Sequence, residues 1–120
     1  MSTILIHDLS ERLLRNSEGE YFFGDSTPFI TLGHELIHAQ AIITGTVAPN
    51  RVDSWISIDV IGPNGEPAYD YWDIEEFWAI GLLSIPDHLL EQGRLGVTEN
   101  DLRREHGINL RGAYSWLKLR

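Results

Sequence analysis

The chain has 120 residues, 42% of them hydrophobic, no cysteine and a formal net charge of -9. Its length suits one domain with one core, and the missing cysteines exclude disulfides and thiolate metal ligands. The acidic balance argues against nucleic acid and anionic membranes as partners and favours basic ones.

In chain order, Thr3 to Ile6 is a short apolar run compatible with a strand, and Glu11 to Leu14 with a helical turn. Tyr21-Phe22-Phe23, bounded by Gly19 and Gly24, reads as a second strand. Ser26-Thr27-Pro28 is a helix start, with a hydroxyl for the cap and a proline for the first turn. The predicted helix runs from Pro28 to Thr44. Phe29, Ile30, Leu32, Leu36, Ile37, Ile42 and Ile43 occupy most of its circumference, which predicts a buried helix. Gly45 fits its C-cap.

Val52 to Ile61 alternates in part and reads as a strand, followed by a turn at Gly62-Pro63-Asn64-Gly65. Asp73 to Leu83 is a short helix, stopped before Pro86. Thr98-Glu99-Asn100-Asp101 opens another helix with a capping-box pattern, and Gly107 closes it. There is no repeat, linker or low-complexity stretch, so residues 1–120 read as one α+β domain. Charge is uneven: Asp53 to Glu76 is almost wholly acidic, while the tail from Arg94 is basic, an asymmetry that usually means a solvated face. The first fifteen residues lack a long apolar stretch, and the longest apolar run, Phe77 to Leu83, is too short to span a bilayer. A soluble protein is expected, with secretion by a route lacking a cleavable leader left open.

His34-Glu35-Leu36-Ile37-His38 is the informative segment. On a helix the two histidines stand one turn apart and project from the same face, supplying half of a tetrahedral zinc site. Glu35 follows the first histidine, where its carboxylate can take a proton from a water on the metal. A chance match, with both histidines merely hydrogen-bonded, is the bland alternative.

A catalytic zinc needs a third protein ligand. Position 44 is Thr44, so the extended three-histidine motif is missing. Of His7, His88, His106 and the acidic residues, the Glu75-Glu76 pair on the helix after the turn region is the best candidate, while His88 and His106 read as surface residues. One glutamate would ligate and its neighbour would fix a histidine tautomer. The competing reading has Asp73 capping the helix and both glutamates as favourable first-turn charges.

Three separated segments together resemble known proteases. Leu32 to Ala39 resembles the active-site helix of the clostridial neurotoxin light chains and of the NleD-type type III secreted effector proteases. Glu75-Glu76-Phe77-Trp78-Ala79-Ile80-Gly81 is similar to their E-E-x-R-T-x-G segment. Thr98 to Arg103, followed by Arg111-Gly112-Ala113-Tyr114, resembles their C-terminal element with its R-x-x-Y pair. The resemblance implies a compact gluzincin-like fold, with a small sheet packed on a buried H-E-x-x-H helix and a second helix carrying the third ligand. It implies one zinc ion per chain on His34, His38 and Glu76, with Glu35 as base. Arg111 and Tyr114 would stabilise the oxyanion, Glu75 would support the ligands, and Glu99 would orient a ligand or Arg111. Trp78 and Ala79 depart from the family pattern, which carries arginine and threonine there.

The leading expectation is a monomeric zinc endopeptidase cleaving a protein substrate, an effector or toxin active in a target cell's cytosol. One alternative is a non-catalytic zincin-like module that keeps a structural zinc and binds a partner. Another is a metal-dependent hydrolase of non-peptide amides.

Overall fold

A computed structural model describes residues 11–15, 21–25, 28–49, 52–61, 65–114 and 118–119. Among the described residues, two antiparallel sheets accompany four helices. In the first sheet, β1 (Glu11–Arg15) lies between β2 (Tyr21–Asp25) and the short β5 (Leu110–Arg111), with Leu14 opposite Phe22 on one side and Arg111 on the other. In the second, β4 (Pro67–Asp73) lies between β3 (Trp55–Ile61) and the short β6 (Lys118–Leu119). A single 3-10 turn, Val52–Ser54, leads into β3. The helices are α1 (Pro28–Thr44), α2 (Ile74–Ile80), α3 (Asp87–Glu91) and α4 (Glu99–Glu105).

The long helix has the predicted bounds, but it is not buried all round. Ile30, His34, Ile37 and Ala41 form a buried stripe at helical spacing, whereas Leu32, Leu36, Ile42 and Ile43 are exposed, Ile43 at 84%. Apolar content alone does not say which face a fold covers. A second correction concerns Glu11 to Leu14, which is strand rather than helical turn. Pairing on both edges, with β2 and β5, overrides the local helical propensity of this segment. The strand at Thr3 to Ile6, the cap at Ser26-Thr27, the Gly62-Pro63-Asn64 part of the turn and His7 lie outside the described residues.

Helix α2 follows β4 without a loop. Asp73 ends the strand in an extended conformation, and its carboxylate accepts the Glu75 N–H at 3.0 Å. Gly81 ends α2 in the left-handed region (φ 100°) and returns its N–H to the Phe77 carbonyl. A side chain at Gly81 would also meet Thr98, since a Cβ there would lie 2.7 Å from Thr98 Oγ1. Thr98 is in turn the N-cap of α4, in a complete capping box with Asp101. Midway along α4, Gly33 lets that helix approach α1; a Cβ at Gly33 would come 2.6 Å from Leu102 Cδ1. Two glycines thus set α4 beside both α1 and α2. Phe77, Ala79 and Ile80 on α2 and Ile30 and Ile37 on α1 are buried in the core that results. No described helix is long and apolar enough to cross a membrane.

Candidate metal centre

Helix α1 presents His34 and His38 one turn apart, and α2 presents Glu76 to both. His34 Nε2 lies 2.9 Å from Glu76 Oε1, His38 Nε2 lies 2.8 Å from the same oxygen, and the two Nε2 atoms are 2.9 Å apart. The opposite edge of each ring is also held by a carboxylate. His34 Nδ1 meets Glu99 Oε1 at 2.7 Å, and His38 Nδ1 meets Glu75 Oε2 at 2.9 Å.

These partners decide the tautomers. An ionised carboxylate only accepts, so each Nδ1 donates, and each Nε2 of a neutral ring carries a lone pair. Two lone pairs and a carboxylate oxygen then converge with no hydrogen among them, an arrangement that favours a cation. His34, His38 and Glu76 could therefore hold a metal ion. Tetrahedral coordination at about 2.0–2.1 Å per bond needs ligand atoms roughly 3.3 Å apart. The trio would have to part by about half an ångström to admit the ion.

Without an ion, protons serve as the cation. Burial alone would lower the pKa of His38, but hydrogen bonds to Glu75 and Glu76 outweigh it and raise it to about 10. His34 is likewise raised against its burial by Glu76 and Glu99. Burial would raise Glu76, yet the two imidazoles hold it down at about 2. Glu75 and Glu99 are also depressed against burial, Glu75 by His38 and Arg94, Glu99 by Arg111, His34 and Arg103.

The supporting carboxylates are themselves neutralised by buried arginines. Glu99 accepts from Arg103 Nε at 2.7 Å and Arg111 Nη1 at 2.9 Å. Glu75 accepts two bonds of 2.6 Å from Arg94 and one of 3.0 Å from the Ala48 N–H. Unpaired, such buried carboxylates would be strongly destabilising. One cost remains: Arg94 Nε, buried over the Trp78 ring, has no hydrogen-bond partner among the described residues.

Arg111 and Tyr114 close one side of the centre. The Tyr114 ring stacks near His34 with centroids 6.5 Å apart, and the Arg111 guanidinium lies 5.2 Å from the Tyr114 centroid. Arg111 donates Nη2 to the Tyr114 carbonyl at 2.7 Å and Nε to the Ala113 carbonyl at 3.0 Å. The second sheet contributes too: Asp70 on β4 accepts the Tyr114 N–H at 2.6 Å, and Trp72 lies 5.4 Å from the Tyr114 ring. Glu35 is half-buried on α1, one position past His34. His88 and His106 are exposed, and His106 packs edge-on against Phe29.

A model of an effector-protein family, Peptidase_M91, matches residues 12–114, most of the chain. The chain belongs to that family. It is thereby a member of a family of effector peptidases, and the matched stretch includes every residue of the centre described above. No curated protein and no solved structure matches the chain.

Sequence reasoning alone leaves out Arg94, Arg103, Asn100 and Asp70. Arg103 had a usable signal, since an acidic residue four positions before an arginine on a helix forms a favourable pair. Arg94 had none, standing in a loop between Gly93 and Leu95. Trp78, at a position where the resembling families carry arginine, lies under the Arg94 guanidinium at 5.4 Å.

Proposed function

We propose that this effector-family chain is a zinc-dependent endopeptidase of a compact, zincin-like, single-domain type, with His34, His38 and Glu76 as the metal ligands. The convergence of both Nε2 atoms and Glu76 Oε1 within 2.9 Å carries this reading. Two imidazoles and one carboxylate are the ligand set of a catalytic zinc with a position left open for substrate. When bound, zinc supplies a Lewis acid that polarises a scissile carbonyl and makes water nucleophilic at neutral pH.

The chain's own groups do the rest. Glu35 takes the proton from the attacking water and delivers it to the leaving amine. Tyr114 donates to the oxygen that gains charge, a contact stronger in the transition state than in the substrate. Arg111 adds positive charge on the same side; three of its N–H groups hold Glu99, Ala113 and Tyr114, which fixes where Tyr114 stands. Glu75 and Glu99 hold the two imidazoles with their lone pairs facing Glu76. The substrate is a protein, in keeping with an effector peptidase family, and the enzyme acts as a monomer inside a target cell without engaging nucleic acid or membrane.

A Glu35→Gln variant tests this reading against a non-catalytic module that keeps a structural zinc. Wild type and variant should each carry one zinc ion per chain, and only the wild type should generate new N-termini in a target-cell lysate. Zinc-loaded wild type without any cleavage would favour the binding module.

A further inference from the structure

Arg94 is a buried cation, 3% exposed, to which the reaction above gives no part. It meets Glu75 with a parallel two-bond fork, Nη1 to Oε1 and Nη2 to Oε2, both at 2.6 Å. Lysine, a point charge without a planar fork, does not reproduce that geometry. Nη1 also donates to the Thr46 carbonyl at 3.1 Å, just past the end of α1. The Glu75 oxygen that receives Nη2 is the one facing His38 Nδ1 at 2.9 Å.

The loop that carries Arg94 is gripped by the metal helix itself. Gln40, two positions after His38, donates Nε2 to the Gly93 carbonyl at 2.8 Å and accepts the Leu95 N–H at 3.1 Å. One side-chain amide thus pinches the backbone on both sides of Arg94. The path closes on itself: α1 holds the loop, the loop delivers Arg94, Arg94 orients Glu75, and Glu75 orients a histidine of α1.

We propose that Arg94 is a positioning residue for His38, acting through Glu75, and that Gln40 sets the depth at which Arg94 is held. The proposal rests on reading His38 as a metal ligand. Without the fork, only the Ala48 N–H still holds the Glu75 carboxylate from behind, at Oε1, and the oxygen that faces His38 loses the bond that fixes it. His34 has its own set of partners, Glu99 and Arg111, with Asn100 bonded to both the N–H and the carbonyl of Arg111. The Arg94 hydrogen bonds go instead to Glu75 and the Thr46 carbonyl, so His34 serves as an internal control.

The test is zinc affinity of the full chain, measured by competition with a chromophoric chelator, for wild type, Arg94→Lys, Gln40→Ala, Glu75→Gln and the Glu75→Gln/Arg94→Lys double variant. Arg94→Lys should bind zinc about 10- to 100-fold more weakly, the usual effect of losing a partner behind a ligand. Gln40→Ala, which leaves every buried charge in place, should fall in the same direction by less. The double variant should be no weaker than Glu75→Gln alone, because both changes break one path. In imidazole NMR of the zinc-loaded chain, Arg94→Lys should speed exchange of the His38 Nδ1 hydrogen and leave that of His34 unchanged. Equal zinc affinity in wild type and Arg94→Lys, additive losses in the double variant, or equal disturbance of both histidines would each overturn the proposal. A wild type that takes up no zinc would remove the metal reading, and this proposal with it.

Discussion

His38 and Glu76, on different helices, bring Nε2 and Oε1 to 2.8 Å, with Glu75 on the far edge of the same imidazole. One carboxylate of the adjacent pair faces the lone pair and the other faces the N–H. On the metal reading proposed above, the pair would divide the labour of holding a cation: Glu76 would meet it directly and Glu75 would fix the ring that meets it. Asp73 meanwhile caps α2, so the capping role and the ligand geometry coexist in one turn.

Glu76→Gln keeps the shape of the side chain and removes its charge. Zinc affinity, measured by titration calorimetry, should fall by more than about a hundredfold, because partners behind a ligand are already worth roughly 10- to 100-fold. Unchanged affinity would take Glu76 out of the ligand set.

The metal-free chain should show a pH signature of opposite sign on each flank. His38 is raised from 6.5 to about 10, so its contribution to stability is complete below pH 6.5 and lost as pH climbs toward 10. Glu76 is lowered from 4.5 to about 2, so its contribution is complete above pH 4.5 and lost as pH falls toward 2. Both are fully present between pH 4.5 and 6.5. Zinc must displace these protons, so its uptake near neutral pH should release them and strengthen as pH rises. Calorimetry in buffers of different ionisation enthalpy checks this; a binding enthalpy independent of buffer would contradict it.

Gly81→Ala should destabilise the chain. Gly81 sits at φ 100° with Thr98 Oγ1 only 2.7 Å from where a Cβ would stand. The expected loss is about 1–3 kcal/mol, which for a domain of this size lowers Tm by several degrees per kcal/mol. The change also presses on the N-cap of the helix that presents Glu99. Thermal unfolding that matches wild type would show that the contact with Thr98 yields freely.

The sequence makes local chemistry legible and tertiary delivery much less so. The spacing of His34 and His38, the proline at the start of α1 and the capping box at Thr98 are short-range signals, and the helices that follow from them have the expected positions. β4 is harder to read, because its buried positions Ala68 and Asp70 are small or acidic and break the usual apolar alternation. Its role, holding Tyr114 through Asp70, follows only from the folded topology. The same holds for Arg94, whose value comes from Gln40 and Glu75, both far from it in the chain. The exposed apolar side of α1 is the reverse case, a local pattern that predicts burial where the fold leaves Leu36 and Ile43 open.

Tyr114→Phe removes one hydroxyl while keeping the ring that stacks beside His34. Turnover should fall by roughly a hundredfold or more, the usual effect of deleting one oxyanion donor. Zinc content should be unchanged. Full activity in the variant would exclude the phenol from the reaction.

Anomalous scattering at the zinc absorption edge, from crystals of the zinc-loaded chain, tests the centre most directly. A single peak should stand within bonding distance of His34 Nε2, His38 Nε2 and a Glu76 carboxylate oxygen. No peak there, or zinc held by other residues, would contradict the account.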